Sequence, residues 1–337
     1  MKLIKKIIYW KLSLQFYLIT FLRNKFYDFG LLKSFSFEIP VISVGNLAVG
    51  GTGKTPMVEF LIKKFSRKYK IAVLSRGYKR KTKGFIIASQ KDDASTIGDE
   101  PFQYYSKFKN IKVAVDKKRI RGIKKLISIG INMIILDDAF QHRNVIPTYS
   151  ILLSDYSNLY FNDYLLPRGN LRESKSGYKR ADTIIITKCP ENLSENNRQQ
   201  LIEIINLKYN QHIFFSKIKY SNVLFSANNS INISQLSNQK VDVITGIVNS
   251  ENLIKHLEDM GLFINHLKYP DHYNYKRKDI SKIKESFVIT TEKDYTKLRK
   301  FHIENLYYLP ISMEISAEKT LIEKIEEKIG LFTEYVS

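Results

Sequence analysis

Cysteine is almost missing from this chain: Cys189 is the only one in 337 residues. That excludes an internal disulfide framework and any zinc or iron–sulfur site built from several thiolates, and it suits a reducing compartment. Glycine and proline are scarce, at 15 and 8, which removes collagen-like and proline-rich linker readings. Acidic residues number 33 against 54 basic ones, leaving a formal charge of +21. Such a balance favours an anionic partner: nucleic acid, an anionic membrane face or a phosphorylated substrate. Part of the excess also follows from a general crowding of Lys, Ile and Asn along the chain. No apolar run reaches the ~20 residues that a spanning helix needs. Hydrophobic residues at 44% and aromatics at 12% are ample for a core and too rich for disorder. At roughly 150 residues per domain, the length predicts two domains.

The first thirty residues stand apart. The apolar stretch Ile7 to Leu22 is interrupted by Lys11 and Gln15, and no small-residue cleavage pattern follows it, so a removed secretory signal is not expected. Tyr9, Trp10, Phe16, Tyr17, Phe21, Phe26 and Tyr27 are interleaved with Lys and Arg. Aromatic rings at headgroup depth and cations on anionic lipid suit a helix lying in the membrane interface. An amphipathic helix packed on the protein's own core would read the same way, and the pattern alone does not separate the two.

From residue 40 onward, short β-branched runs alternate with helix-period segments. Strands are expected at 41–44, 71–74, 111–115, 133–136, 151–153 and 183–187, with helices at 54–65, 99–108 and 117–129 between several of them. This alternation predicts an α/β fold with a mainly parallel sheet covered by helices on both faces. A further helix is expected over 195–207 and an extended segment over 212–220. A polar, Ser/Asn-rich stretch at 226–238 marks a change of domain, after which strands at 241–245, 287–290 and 306–309 alternate with helices at 251–260 and 295–300.

The strongest local signal is Gly45-Asn46-Leu47-Ala48-Val49-Gly50-Gly51-Thr52-Gly53-Lys54-Thr55, set between an expected strand and an expected helix. That context is what a phosphate-binding loop requires. Ala48 through Gly53 would turn backbone N–H groups toward phosphate oxygens, Lys54 would reach the β- and γ-phosphates, and the Thr55 hydroxyl would hold Mg²⁺. Ala48 stands where the strict pattern has glycine. The second signal is the apolar strand ending in Asp137-Asp138, which in phosphate-loop proteins carries the acid that orders the metal. Gln141 and His142 follow at the same carboxyl edge, where open α/β sheets bind ligands.

Asp99 and Glu100 open a helix and, taken alone, read as ordinary first-turn acids. Arg76 ends a strand and Arg119 sits in a basic helix; each is either a solvated cation or a planar phosphate contact. Asp271-His272-Tyr273 and Thr291-Glu292-Lys293-Asp294 are the polar clusters of the later region. The six histidines show no metal-ligand spacing, so zinc is not supported.

These segments together resemble the tetraacyldisaccharide 4'-kinase (lipid A 4'-kinase) family. The likeness rests on Gly45-Asn46 leading into Gly50-Gly51-Thr52-Gly53-Lys54-Thr55-Pro56, and on Ser75-Arg76-Gly77-Tyr78 and Gly98-Asp99-Glu100-Pro101. It continues through Asp137-Asp138-Ala139-Phe140-Gln141-His142, Asp271-His272-Tyr273 and Thr291-Glu292-Lys293-Asp294. Ala139 replaces the family's usual glycine. The resemblance implies an ATP-dependent kinase that phosphorylates the 4'-hydroxyl of a tetraacyldisaccharide 1-phosphate, forming lipid IVA in lipid A biosynthesis. It implies an N-terminal membrane-associated helix (residues 1–30), a P-loop NTPase-like domain (31–215) and a smaller α/β domain with a two-stranded linker (216–337), the active site lying in the cleft. By the same carry-over Asp99 is the catalytic base and His272 its partner from the other domain, with Lys54 and Asp138 also catalytic. Asn46, Arg76, Tyr78, Arg119, Gln141 and His142 are expected at the substrate, and Thr55, Glu100 and Asp137 at Mg²⁺. The expected partners are the acylated disaccharide and an anionic membrane surface, at the cytoplasmic face of the inner membrane, bound peripherally or monotopically and without nucleic acid.

Two rivals share some of these features. A nucleic-acid-dependent NTPase would explain a phosphate loop with +21, but the cations are spread and no nucleic-acid module is recognisable. A GTPase would place a base-reading motif near Thr187-Lys188-Cys189-Pro190, which lacks the acid needed to read guanine.

Overall fold

The structure is a computed structural model that describes residues 2–336; Met1 and Ser337, the outer ends of the expected first and last segments, lie outside them. The chain divides into two compact units. The first comprises residues 1–76, 110–218 and 313–337, and the second comprises 77–109 and 219–312.

In the first unit the strands Val41–Asn46, Ile71–Ser75, Met133–Asp137 and Thr183–Thr187 are buried along their whole length. Strands buried on both faces read as continuous apolar runs rather than alternating ones, which is how these were recognisable in the sequence. Val41–Asn46 is central. It pairs in parallel with Met133–Asp137 on one side and Tyr149–Asp155 on the other. The sheet continues outward through Ile71–Ser75 and Lys112–Val115 in one direction, and through Thr183–Thr187 and His212–Tyr220 in the other. The strand order therefore reverses beside Val41–Asn46, and at such a switch point the carboxyl ends of the strands leave a crevice for ligands.

The second unit holds a sheet in the order Ser230–Asn232, Val223–Phe225, Leu306–Leu309, Val288–Thr291, Lys240–Thr245, Phe263–Lys268. Its inner strands are parallel and the first two form an antiparallel pair. Leu224, Val243, Leu257 and Ile289 lie in its core.

The division differs from the expected one at three places. Residues 77–109, placed in the phosphate-loop domain by sequence order, belong to the second unit. The reason is packing. Helix Asp99–Lys107 buries Pro101, Phe102 and Tyr104 and lies on helix Glu292–Leu298, with Lys107 paired to Glu292 at 2.8 Å and Arg299 over the Phe102 ring at 4.9 Å. The C-terminal helix Glu318–Val336, not anticipated from the sequence, joins the first unit, as does the N-terminal helix. The chain passes between units on either side of residues 77–109, and again inside His212–Tyr220 and Ile311–Ile315, which are neighbouring strands.

The N-terminal helix Lys2–Asp28 turns its polar line inward. Among its described side chains Ser13 and Thr20 are the buried ones, while Trp10 is 53% and Ile19 66% exposed. Ser13 Oγ donates to the Leu165 carbonyl at 3.0 Å and Asn24 Nδ2 donates to Glu173 at 2.8 Å. The core-packed reading of this helix is therefore not the one the chain adopts. No helix among the described residues is long and apolar enough to cross a membrane.

Candidate active site

In the first unit, strand Val41–Asn46 feeds directly into the glycine-rich loop, and helix Lys54–Phe65 follows. Gly53 sits at the helix cap with φ 84°, a left-handed backbone that glycine alone enters without a steric penalty. Gly45 is needed for a different reason: a Cβ there would stand 2.7 Å from Phe140 Cβ. The loop is braced on three sides. Asn46 Nδ2 donates to Thr52 Oγ1 at 2.8 Å, Thr187 Oγ1 donates to the Thr52 carbonyl at 3.0 Å, and Val49 N–H donates to the Asn170 carbonyl at 2.8 Å. Ala48, buried, is bridged to Leu171. Asn46 is thus spent on shaping the loop, and so are the strand-end threonine and residues 170–172.

Lys54 Nζ lies 3.6 Å from Asp138 Oδ1. The register that pairs Val44 with Asp137 brings the second acidic strand alongside the loop strand. Asp138 has a left-handed backbone, φ 49°, which turns it out of the strand direction. Arg172 NH1 donates to both of its oxygens, at 2.8 and 3.0 Å. Burial alone would raise the Asp138 pKa; the Lys54 ammonium and the Arg172 guanidinium outweigh it and hold the carboxyl below its usual range.

Behind this edge lies a polar layer. Arg119, expected at the substrate as a possible surface cation, is instead fully buried. Its guanidinium donates to the backbone carbonyls of Asp116 at 2.6 Å and Asp137 at 3.0 Å. Burial pulls its pKa down to about 10, against the carboxylates of Asp137 and Asp138. Gln141 Nε2 donates to the Asn46 carbonyl at 2.9 Å and to Glu173 Oε1 at 3.0 Å, so its amide holds the loop strand. Burial, then Arg119 and Arg76, push His142 down to about 4, leaving it neutral near pH 7. Arg76 is exposed at the end of its strand. Burial raises the Cys189 thiol to about 11, so it is no nucleophile.

The second unit carries Tyr78, Asp99, Glu100 and His272. His272 has φ 56° and is held there by its N–H donating to Asp271 Oδ1 at 3.0 Å. Its Nδ1 lies 2.9 Å from Asp99 Oδ2, and its Nε2 lies 3.2 Å from Lys293 Nζ. Because an ammonium can only donate, Nε2 accepts from Lys293 and Nδ1–H donates to Asp99. Lys297 Nζ reaches the same Oδ2 at 3.1 Å. Both contacts fall on one oxygen and leave Oδ1 to accept a proton. Burial opposes ionisation of Asp99, but the His272 hydrogen bond and the Lys297 cation outweigh it and keep the pKa below the usual range. Tyr78, exposed, sets its ring edge to face against His272 at 5.2 Å. Glu100 lies 3.5 Å from Lys293. Asp99 and His272 do meet, as expected, but within one unit and not across a domain boundary.

Among the described residues no group of three or more His, Cys, Asp or Glu could hold a metal ion. The first unit does offer the Thr55 hydroxyl, one residue into a helix, and the acids of the neighbouring strand end. A few hard oxygens of this kind fit Mg²⁺, which takes one or two carboxylates and completes its shell with phosphate and water.

Arg172, Glu173 and Lys297 were not singled out by the sequence. Glu173 is buried and joins Asn24, Gln141 and Arg180, the last at 2.8 Å. The available signal was Pro167-Arg168-Gly169-Asn170-Leu171-Arg172-Glu173, charges and turn residues in the connection between the buried strands Tyr149–Asp155 and Thr183–Thr187.

Comparison with known proteins agrees with this geometry. A family model described as tetraacyldisaccharide-1-P 4'-kinase matches residues 5–330. A tetraacyldisaccharide 4'-kinase of Flavobacterium psychrophilum is 47% identical over 318 residues, covering 91% of this chain and 92% of that protein. One from Bacteroides thetaiotaomicron is 42% identical over 321 residues, covering 87% and 84%. Among solved structures, the "apo" form of LpxK from Aquifex aeolicus in complex with ATP matches with a TM-score of 0.77 and 30% identity, over 95% of this chain and 98% of that one.

Proposed function

The chain belongs to the tetraacyldisaccharide-1-P 4'-kinase family, and on that premise we propose how its own residues carry the reaction. It is a phosphotransferase that moves the γ-phosphoryl group of ATP to the 4'-hydroxyl of a tetraacyldisaccharide 1-phosphate, in lipid A biosynthesis. The backbone of 48–53 receives the phosphates, and Lys54 neutralises charge that builds on the transferring group. Thr55 and Asp137 would hold Mg²⁺, which would supply further neutralisation of phosphate charge. Asp138, fixed by Arg172, orients Lys54. Asp99 Oδ1 takes the hydroxyl proton as the new O–P bond forms and the bond to ADP breaks, while His272 Nδ1–H holds the other oxygen in place. Arg76 and Tyr78 are exposed side chains suited to the acceptor; in the first unit Asn46, Gln141 and Arg119 act by shaping the loop and the strand ends, and His142 stays beside them as a neutral imidazole.

The observation that carries the reading is the 2.9 Å contact between Asp99 and His272. A nucleotide-hydrolysing loop needs no such pair, whereas transfer to a sugar hydroxyl needs a base held in one orientation. The N-terminal helix, with its apolar face outward, is read as docking on the anionic cytoplasmic face of the inner membrane, peripherally or monotopically, where the lipid acceptor resides. No nucleic acid takes part.

The test is ATP turnover with a micelle-presented tetraacyldisaccharide 1-phosphate, with polynucleotide, and with neither. Turnover is expected only with the lipid, and Lys54→Ala should lower it by ~10²–10³ with the fold intact, the usual loss for one preorganised contact to a transition state. Stimulation by polynucleotide, or a folded Lys54→Ala protein with normal turnover, would sink the reading.

A further inference from the structure

The segment Thr291-Glu292-Lys293-Asp294 and the lysine three residues beyond it have no part in the reaction as described so far. Their geometry gives them one. Thr291 caps helix Glu292–Leu298: its Oγ1 accepts from the Asp294 N–H at 3.0 Å and donates to Asp294 Oδ2 at 2.7 Å. Asp294 is fully buried and accepts the Gly246 N–H at 2.8 Å. Gly246 carries the backbone toward His272, whose N–H donates to its carbonyl at 3.3 Å. One turn on, Lys297 is 8% exposed, with Nζ 3.6 Å from Asp294 Oδ1 and 3.1 Å from Asp99 Oδ2. On the same helix, Lys293 holds Asp271 at 3.0 Å and the far side of the His272 ring at 3.2 Å.

A lysine is costly to bury unless it is paired, and the flexible stem loses rotamer freedom when it is fixed. Lys297 meets both demands with carboxylates whose own positions are set from elsewhere, Asp294 by the helix cap and Asp99 by helix Asp99–Lys107. Its bond lands on the oxygen that His272 also holds. Two donors on one oxygen define the plane of the carboxylate; one donor alone leaves it free to rotate about χ2. We propose that Lys297 is the positioning residue of the Asp99–His272 pair: it locks the carboxylate so that Oδ1 faces the acceptor hydroxyl, and helix Glu292–Leu298 is the platform that holds it. This rests on the reading of Asp99 as the base, and the experiment separates the two.

Lys297→Met removes the charge and keeps the stem. In the full-length protein kcat with the lipid acceptor should fall by about 10²-fold, the cost of a small misplacement of a reacting group, while the KM for ATP stays within about 3-fold. Lys297→Arg should recover at least about tenfold over the Met variant, since a cation again reaches the carboxylate. In an Asp99→Asn background Lys297→Met should cost no more than about 3-fold further, because residues acting as a unit are non-additive. A folded Lys297→Met protein with near-normal kcat would overturn the proposal, as would losses that multiply in the Asp99→Asn background. If the Met variant does not fold, Lys297→Gln replaces it, and a Gln variant as active as the Arg variant would overturn it equally. Should Asp99→Asn alone retain normal kcat, the base assignment itself fails, whatever Lys297 does.

Discussion

Asp99 shows how one carboxylate is given two properties by its neighbours. His272 and Lys297 hold its Oδ2, and together they depress its pKa although burial pulls the other way. A carboxyl with a depressed folded pKa contributes stability that is present above its unfolded value and lost as the pH falls through the folded one. Asp99→Asn should therefore be less stable than the natural chain near neutrality, and the gap in melting temperature should close on acidification below about pH 4. A gap that stays constant down to about pH 2 would show that the asparagine is felt for its shape and not for its charge. His142 behaves oppositely. Pushed down to about 4, it is neutral across the working range, so an ionisation near neutrality in the rate profile does not come from it.

At the scale of elements, the N-terminal helix inverts the usual amphipathic rule. Surface helices bury their apolar stripe against the core; here Ser13 and Thr20 face the body while Trp10, Leu18 and Ile19 face outward. Exposed apolar surface on this scale marks a site of contact with another phase or protein, and the flanking cations favour anionic lipid. Leu18→Glu with Ile19→Glu should release the protein from anionic vesicles and weaken use of the lipid acceptor, with ATP binding and melting temperature little changed, since neither side chain is buried. Undiminished co-sedimentation of the double variant with vesicles would remove the helix from the membrane-binding surface.

Across the whole molecule, an excess of +21 should make vesicle binding depend on salt. The screening length falls from ~10 Å at 0.1 M to ~3 Å at 1 M, so added salt weakens the attraction of exposed cations. Burial of the apolar helix face does not weaken with it. Affinity for anionic vesicles should therefore drop and then level off above zero as salt is raised. A flat response would mean that the charge excess serves no membrane role.

The sequence by itself was enough for the phosphate loop, the acidic strand end and the alternation of strands and helices, because each is a local matter. A buried parallel strand must be apolar throughout, and a loop that wraps phosphate must carry glycine at its sharp turns, whatever surrounds them. Asp99 and His272 could be named from the resemblance, yet nothing local joined them. They stand 173 residues apart, and sequence order assigned residues 77–109 to the wrong unit. Only tertiary packing decided that, when helix Asp99–Lys107, with Phe102 and Tyr104 buried, came to lie on helix Glu292–Leu298. The same holds for the sense of the N-terminal helix and for the burial of Arg119. Periodicity reports that a helix has two faces, but which face meets the protein depends on groups far along the chain, here Leu165 and Glu173. Lys297 is the extreme case: a lysine on a short helix looks solvated in sequence, and it is buried only because two distant carboxylates converge on it.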